Sequence, residues 1–185
     1  MTSNSQARFV WCDLEMTGLD PKTCAIIEMG IIVTGPDLQP IEKFERAIWQ
    51  PEEVLERMEP FVKNMHTRNG LLDRVRKSEF SLKTVEKDAI AMVLRHCEPF
   101  EGVLAGNSIH TDRTFITAHM PALDRLLHYR MIDVTSVKML TKAWYPNAAG
   151  RNKVDAAHTV LSDLEASLGE LAFYQQQFFK KPSDV

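Results

Sequence analysis

The chain has 185 residues, 44% of them hydrophobic and 25% charged, with a net charge of −3. That is enough for one domain with a real core and too little for two, and no apolar run approaches the length of a membrane span. Its basic residues are scattered, as Arg74, Arg76 and Lys77, then Arg151 and Lys153, then Lys180 and Lys181. This argues against a protein that tracks along a long polyanion, which needs a basic stripe, but not against one that holds a short strand through metal ions.

The opening MTSNSQAR is short and polar, with no apolar signal core. It predicts a flexible segment over 1–7, a single domain over 8–180, a tail over 181–185, and a cytoplasmic location, or an organellar one if a leader has been removed. Cys12, Cys24 and Cys97 form no close pair and no zinc spacing, which fits a reducing compartment. Cys12, between apolar neighbours, reads as a small buried hydrophobe.

Residues 8–14 read as a central strand, apolar on both faces until Asp13. A second strand covers 24–33, and a third, with more alternation, covers 41–49 at an edge. The turns GLDP and GPDLQP between them suit short connections, so the chain opens as an antiparallel meander. Short helices are expected over 51–60 and 67–77 around a loop. An amphipathic helix spans 82–97, with apolar residues at 82, 85, 89, 90, 93, 94 and 97. GVLAG (102–106) is a short buried strand followed by a helix over 112–119, and MIDV (131–134) is another, followed by a helix over 136–144. A last helix carries Val160, Leu161, Leu164, Leu168, Leu171, Phe178 and Phe179 on one side. The order predicts an α/β fold with a mixed sheet: three antiparallel strands plus two short parallel ones, flanked by helices.

The chemistry starts at FVWCDLEMTGLDP, where a buried strand ends in Asp13 and Glu15. Residues i and i+2 of a strand point to one face, about 6–7 Å apart. Two bare carboxylates there would repel each other and resist desolvation, so a cation should lie between them. Oxygen-only donors select magnesium or manganese over zinc. Asp112, in GNSIHTDRTF, falls at a helix start, where an aspartate also serves as an N-cap or first-turn acid. AHTVLSDLEAS places His158 at or just before the last helix and Asp163 within it.

Taken in order, D-x-E, NSIxxD and H-x4-D resemble the DEDD-type 3′-to-5′ exonuclease superfamily, in its histidine-containing subgroup and closest to its oligoribonuclease branch. WCDLEMTGLDP, AGNSI with DRTF, HMP, HYRMIDVTSVK and AHTVLSDLEASLGELAFYQ carry the match, from residue 9 to about 175. The resemblance implies a ribonuclease H-like sheet and an enzyme that releases 5′-mononucleotides from very short RNA, dinucleotides especially. It implies that Asp13, Glu15, Asp112 and Asp163 hold two divalent ions, Mg²⁺ or Mn²⁺, and that His158 is the general base. Leu19 and Phe61 would wedge the bases, with Phe61 standing where the family has tryptophan. Ser108, His66, Arg130 and Thr135 would cap the 5′ phosphate. Family members are homodimers, and Tyr129 would reach the neighbouring copy's active site. His110 replaces a glycine of the family motif, and Ser162 stands where a second acid is common. Glu28, inside the apolar second strand, reads as solvent-facing. Two other readings stay open: a general 3′-to-5′ exonuclease on longer RNA or DNA, and a catalytically silent nucleic-acid-binding domain of the same fold.

Overall fold

The computed structural model describes residues 7–147 and 159–180. Five strands form one sheet in the order β3-β2-β1-β4-β5. β1 (Arg8–Met16), β2 (Ile26–Thr34) and β3 (Pro40–Ala47) are antiparallel neighbours, while β4 (Gly102–Gly106) and β5 (Met131–Asp133) continue from β1 in parallel. The helices are α1 (Glu52–Leu55), α2 (Pro60–Arg68), α3 (Leu71–Lys77), α4 (Leu82–His96), α5 (His110–His119), α6 (Pro121–Leu126), α7 (Val134–Trp144) and α8 (Val160–Phe178). Among the described residues no helix is long and apolar enough to cross a membrane.

β2 is buried along its whole length, as expected of a strand covered on both faces. On one face Val10, Cys12 and Leu14 of β1 join Met29, Ile31 and Val33 of β2 in a core closed by α4, α5 and α6. On the other, Trp11, Ile32 and Ala105 pack under Val134 of α7 and Leu164 and Tyr174 of α8. Alternation along the strands sends successive side chains to opposite layers. A smaller cluster forms where the β1–β2 register slips: Glu15 faces Glu28 and Met16 faces Ile26, so Ile27 has no partner on β1. Ile27 turns instead towards Leu55, Leu71, Leu72 and Val75, which seats α1 and α3 at the end of the sheet.

The meander and the strand–helix alternation match the pattern expected from the sequence, with boundaries shifted by a few residues. Two differences matter. The supposed loop between the first two helices is α2, which begins with Pro60 at a first-turn position that proline favours. Gly70, at φ 75°, then turns the chain into α3 without the steric cost a side chain would bring. The six-residue α6 was not anticipated, because a segment so short shows too little periodicity to read.

One glycine decides how the last helix docks. Gly30 lies opposite Asp13 across the β1–β2 ladder. A Cβ there would come within 2.9 Å of the Val160 side chain, so only a bare backbone lets the first turn of α8 rest on β2. That turn is fixed by a capping box: Thr159 accepts from the Ser162 N–H, and Ser162 Oγ accepts from the Thr159 N–H at 3.1 Å. Ser162 thus closes the cap.

Candidate active site

Asp13 and Glu15 leave β1 on the α8 side of the sheet, and α8 brings Asp163 over the same spot. Carboxylate oxygens of the three lie within 4.8 Å of one another. Asp112, in the first turn of α5, is 6% exposed. Its Oδ1 accepts the Leu14 N–H at 3.0 Å, which ties the start of α5 to the β1 segment between the two acids.

Crowding these groups away from water perturbs them strongly. Burial first, then the charge of Asp112, then Glu15 and Asp163, push Asp13 from 3.8 to about 9. Burial, with Glu28 and Asp163, raises Glu15 to about 7, and Arg74 opposes the rise. Asp112 is raised to about 7 by burial, against the hydrogen bond from Leu14. Carboxyls held so far above their ordinary range mark a place where charge is concentrated for a purpose.

The other candidate residues fall into three places. Leu19 and Phe61 are both 79% exposed, an unusual state for large apolar groups. Leu19 stands on a tight turn where Asp20 accepts from the Lys22 N–H and the Thr23 hydroxyl, and His119 Nε2 meets the Pro21 carbonyl at 2.8 Å. Ser108, with φ 50°, meets Thr135 where β4 and β5 end: its N–H donates to both Asp133 Oδ1 and Thr135 Oγ1. Thr135 in turn donates to Asn107, whose amide reaches Ser167 on α8. Tyr129 is exposed, stacks on His128, and carries the Arg130 guanidinium over its ring at 5.1 Å.

His66 lies elsewhere. It is buried, with Nε2 on the Met16 carbonyl at 3.0 Å and Nδ1 facing Glu15 at 3.9 Å, and burial lowers its pKa. The structure therefore brings Ser108 and Thr135 together and sets His66 beside the acids. His110 opens α5 exposed to solvent, 4.0 Å from Asp133. His158 lies outside the described residues.

Reading the sequence missed Asp133 and Asn107, which hold the Ser108–Thr135 pair, and it misjudged Glu28. Glu28 is 0% exposed and ion-paired with Arg74 of α3, not solvent-facing. Its place in an otherwise apolar strand was the available signal, since a buried carboxylate needs a partner. That partner is 46 residues away in the chain.

The chain as a whole has known counterparts. The RNase T family, described as exonuclease, matches residues 10–171. The chain belongs to this exonuclease family. Among relatives of the exonuclease, the oligoribonuclease of Corynebacterium glutamicum strain R is 44% identical over 93% of this chain and 80% of its own. That of Vibrio parahaemolyticus is 41% identical over 96% and 99%. Exonuclease I of E. coli, in its complex with single-stranded DNA, shares the fold with a TM-score of 0.73 at 12% identity. The match spans 94% of this chain but about two-fifths, 41%, of that one.

Membership implies divalent metal ions, and the residues of this exonuclease fit them. The donors are hard carboxylate oxygens from β1 and α8, close enough to share an ion. The upward shifts of Asp13 and Glu15, from burial first and the neighbouring acids second, are of the kind that a cation shared by the carboxylates would offset.

Proposed function

We propose that this exonuclease is a 3′-to-5′ exoribonuclease of very short RNA, dinucleotides above all, releasing 5′-mononucleotides. The observation that carries the reading is the convergence of Asp13, Glu15 and Asp163 within 4.8 Å, on the side of the sheet covered by α8. The oligoribonuclease relatives supply the substrate class.

Asp13, Glu15, Asp112 and Asp163 would hold two divalent ions, magnesium or manganese. When bound, such ions offset charge on a phosphodiester and acidify water. His158, directly before the capped start of α8, accepts the proton of the attacking water; an ordinary imidazole pKa suits that task near neutrality. Leu19 and Phe61 offer apolar surface to the two bases, and the smaller Phe61 ring stacks with less area than a tryptophan. Ser108 and Thr135, with Arg130, close over the 5′ phosphate, whereas His66, beside Glu15, stands at the end of the pocket that holds the acids. A closed 5′ end leaves no path for a longer strand, which agrees with the missing basic stripe.

A second copy completes the site through Tyr129. Exposed Met139, Leu140 and Trp144 on α7, with Tyr145 after it, give an apolar surface for that partner to cover. The test is turnover of 5′-phosphorylated RNA of two, four and about ten nucleotides with manganese, magnesium or chelator, beside His158→Ala. Metal-dependent cleavage that fades with length and fails in the variant is expected. Equal cleavage of the longest strand would replace the reading with a general exonuclease, and no cleavage with a silent binding domain.

A further inference from the structure

Buried Glu28 and half-exposed Arg74 form a charge pair that the reaction described above does not use. Glu28 is the β2 residue directly opposite Glu15. Facing residues of an antiparallel pair share one side of the sheet, with Cβ atoms about 5 Å apart. The Glu28 side chain is 1% exposed, and the guanidinium that meets it comes from α3, with 39% of the Arg74 side chain open. Burial raises the Glu28 pKa, while Arg74 first and then the Val160 N–H, in the first turn of α8, favour the ionised carboxylate. Glu28 therefore stands among three elements: β1 with its acids, α8 with Asp163, and α3.

As a device for stability alone the pair is poor. Glu28 Oε2 and Arg74 Nη2 are buried without a hydrogen-bond partner of ordinary geometry among the described residues. A buried ion pair with unsatisfied atoms is commonly no better for the fold than two apolar side chains of the same volume. Its electrostatic position is less replaceable. A fifth bare carboxylate would deepen the repulsion among Asp13, Glu15, Asp112 and Asp163, and a bare guanidinium would repel a divalent cation held by Glu15. Paired, the two add a rigid anchor and almost no net charge.

We propose that Glu28 and Arg74 form a charge-compensated positioning pair, which anchors α3 behind Glu15 and tunes how tightly the strand-end carboxylates hold a divalent ion. This rests on the reading of those carboxylates as metal ligands. Its signature is a dependence on charge and not on packing. Glu28→Gln leaves Arg74 uncompensated and weakens metal binding by about tenfold, the order expected for one added charge beside a divalent ion in a partly solvated site. Arg74→Gln removes the repelling group and does not weaken binding. The double variant, neutral at both positions, returns to within about twofold of the wild type.

The experiment is calorimetric titration of the full-length protein with Mn²⁺, without substrate, after circular dichroism confirms the fold of each variant. Weaker binding in Glu28→Gln that the second substitution rescues supports the pair. Glu28→Gln binding like the wild type, or a double variant as weak as the single one, overturns it. If Glu28→Gln does not fold, Arg74→Gln and the double variant decide: binding weaker than wild type in either overturns the proposal, and undiminished binding in both supports it. Failure of the wild type itself to bind Mn²⁺ overturns the metal reading and the pair's role with it, whereas normal wild-type binding with unshifted variants overturns the pair alone.

Discussion

Asp13→Asn should stabilise the metal-free protein, although it removes a proposed metal ligand. In the fold the Asp13 carboxyl titrates at about 9, against 3.8 ordinarily. At pH 7 the unfolded chain has lost this proton and the folded chain still holds it. The sign follows: the folded state binds more protons, so stability falls as pH rises from about 4 towards about 9. Holding the proton some three units above its ordinary pKa costs about 4 kcal/mol at pH 7. Discounting by half, because the cluster opens to water on one side, leaves about 2 kcal/mol. Asparagine is neutral and nearly the same size, so it escapes that penalty, and for a chain of this length the melting temperature should rise by about 4–8 °C. At pH 5 the gain should shrink to about a third of its value at pH 7. The assay is thermal unfolding in chelator at pH 5, 6, 7 and 8, comparing variant with wild type, so that contributions from Glu15 and Asp112 largely cancel. Saturating Mn²⁺ should reverse the order, because the wild type gains more from the ion. A variant no more stable than wild type in chelator, or a gain that does not change with pH, would refute the reasoning.

Three further outcomes are expected. Mn²⁺ should raise the wild-type melting temperature more at pH 8 than at pH 5.5, since the ion displaces protons from carboxyls raised to about 9 and about 7; a pH-independent gain would place the ion elsewhere. Gly30→Ala should lift α8 from β2 through the 2.9 Å clash with Val160, costing about 1–3 kcal/mol in urea denaturation and lowering kcat by ten- to a hundredfold, an order consistent with a small displacement of catalytic groups. Unchanged kcat would show that Asp163 does not depend on that seat. Thr135→Val should leave the acids intact but break the contacts to Ser108 and Asn107, raising KM for a dinucleotide several-fold with little change in kcat. A loss confined to kcat would remove Thr135 from substrate binding.

How much of this was legible in the sequence depends on the range of the interaction. β1, β2 and β4 are short apolar runs between turn signals, and local pattern sufficed. α2 was hidden because a loop and a short amphipathic segment of mixed polarity look alike until Pro60 is taken as a helix start. The pairing of Asp13 with Glu15 followed from strand period alone, whereas the approach of Asp163 required the resemblance, because nothing local says where α8 lands. Its seat is Gly30, a residue without a side chain to notice. Glu28 was misjudged for the same reason: strand alternation cannot show that α3 will deliver an arginine to it. The hydrogen bonds joining Ser108, Thr135, Asp133 and Asn107 link segments about 25 residues apart and emerge only from the ends of two parallel strands.

The seat of α8 also decides when the acid cluster can assemble. Asp13 and Glu15 lie on β1, but Asp163, which completes the trio, lies 148 residues further along the chain than Glu15. A chain still being made therefore displays β1 before the group that completes the acid trio exists. A version ending before residue 159 should bind no Mn²⁺ at this trio and degrade no RNA, and supplying residues 159–185 as a separate peptide should restore both. Carrying Asp163 on α8 makes assembly of the trio depend on the docking of a helix far from β1 in the chain, so a partly folded chain lacks the cluster that the proposed metal site needs.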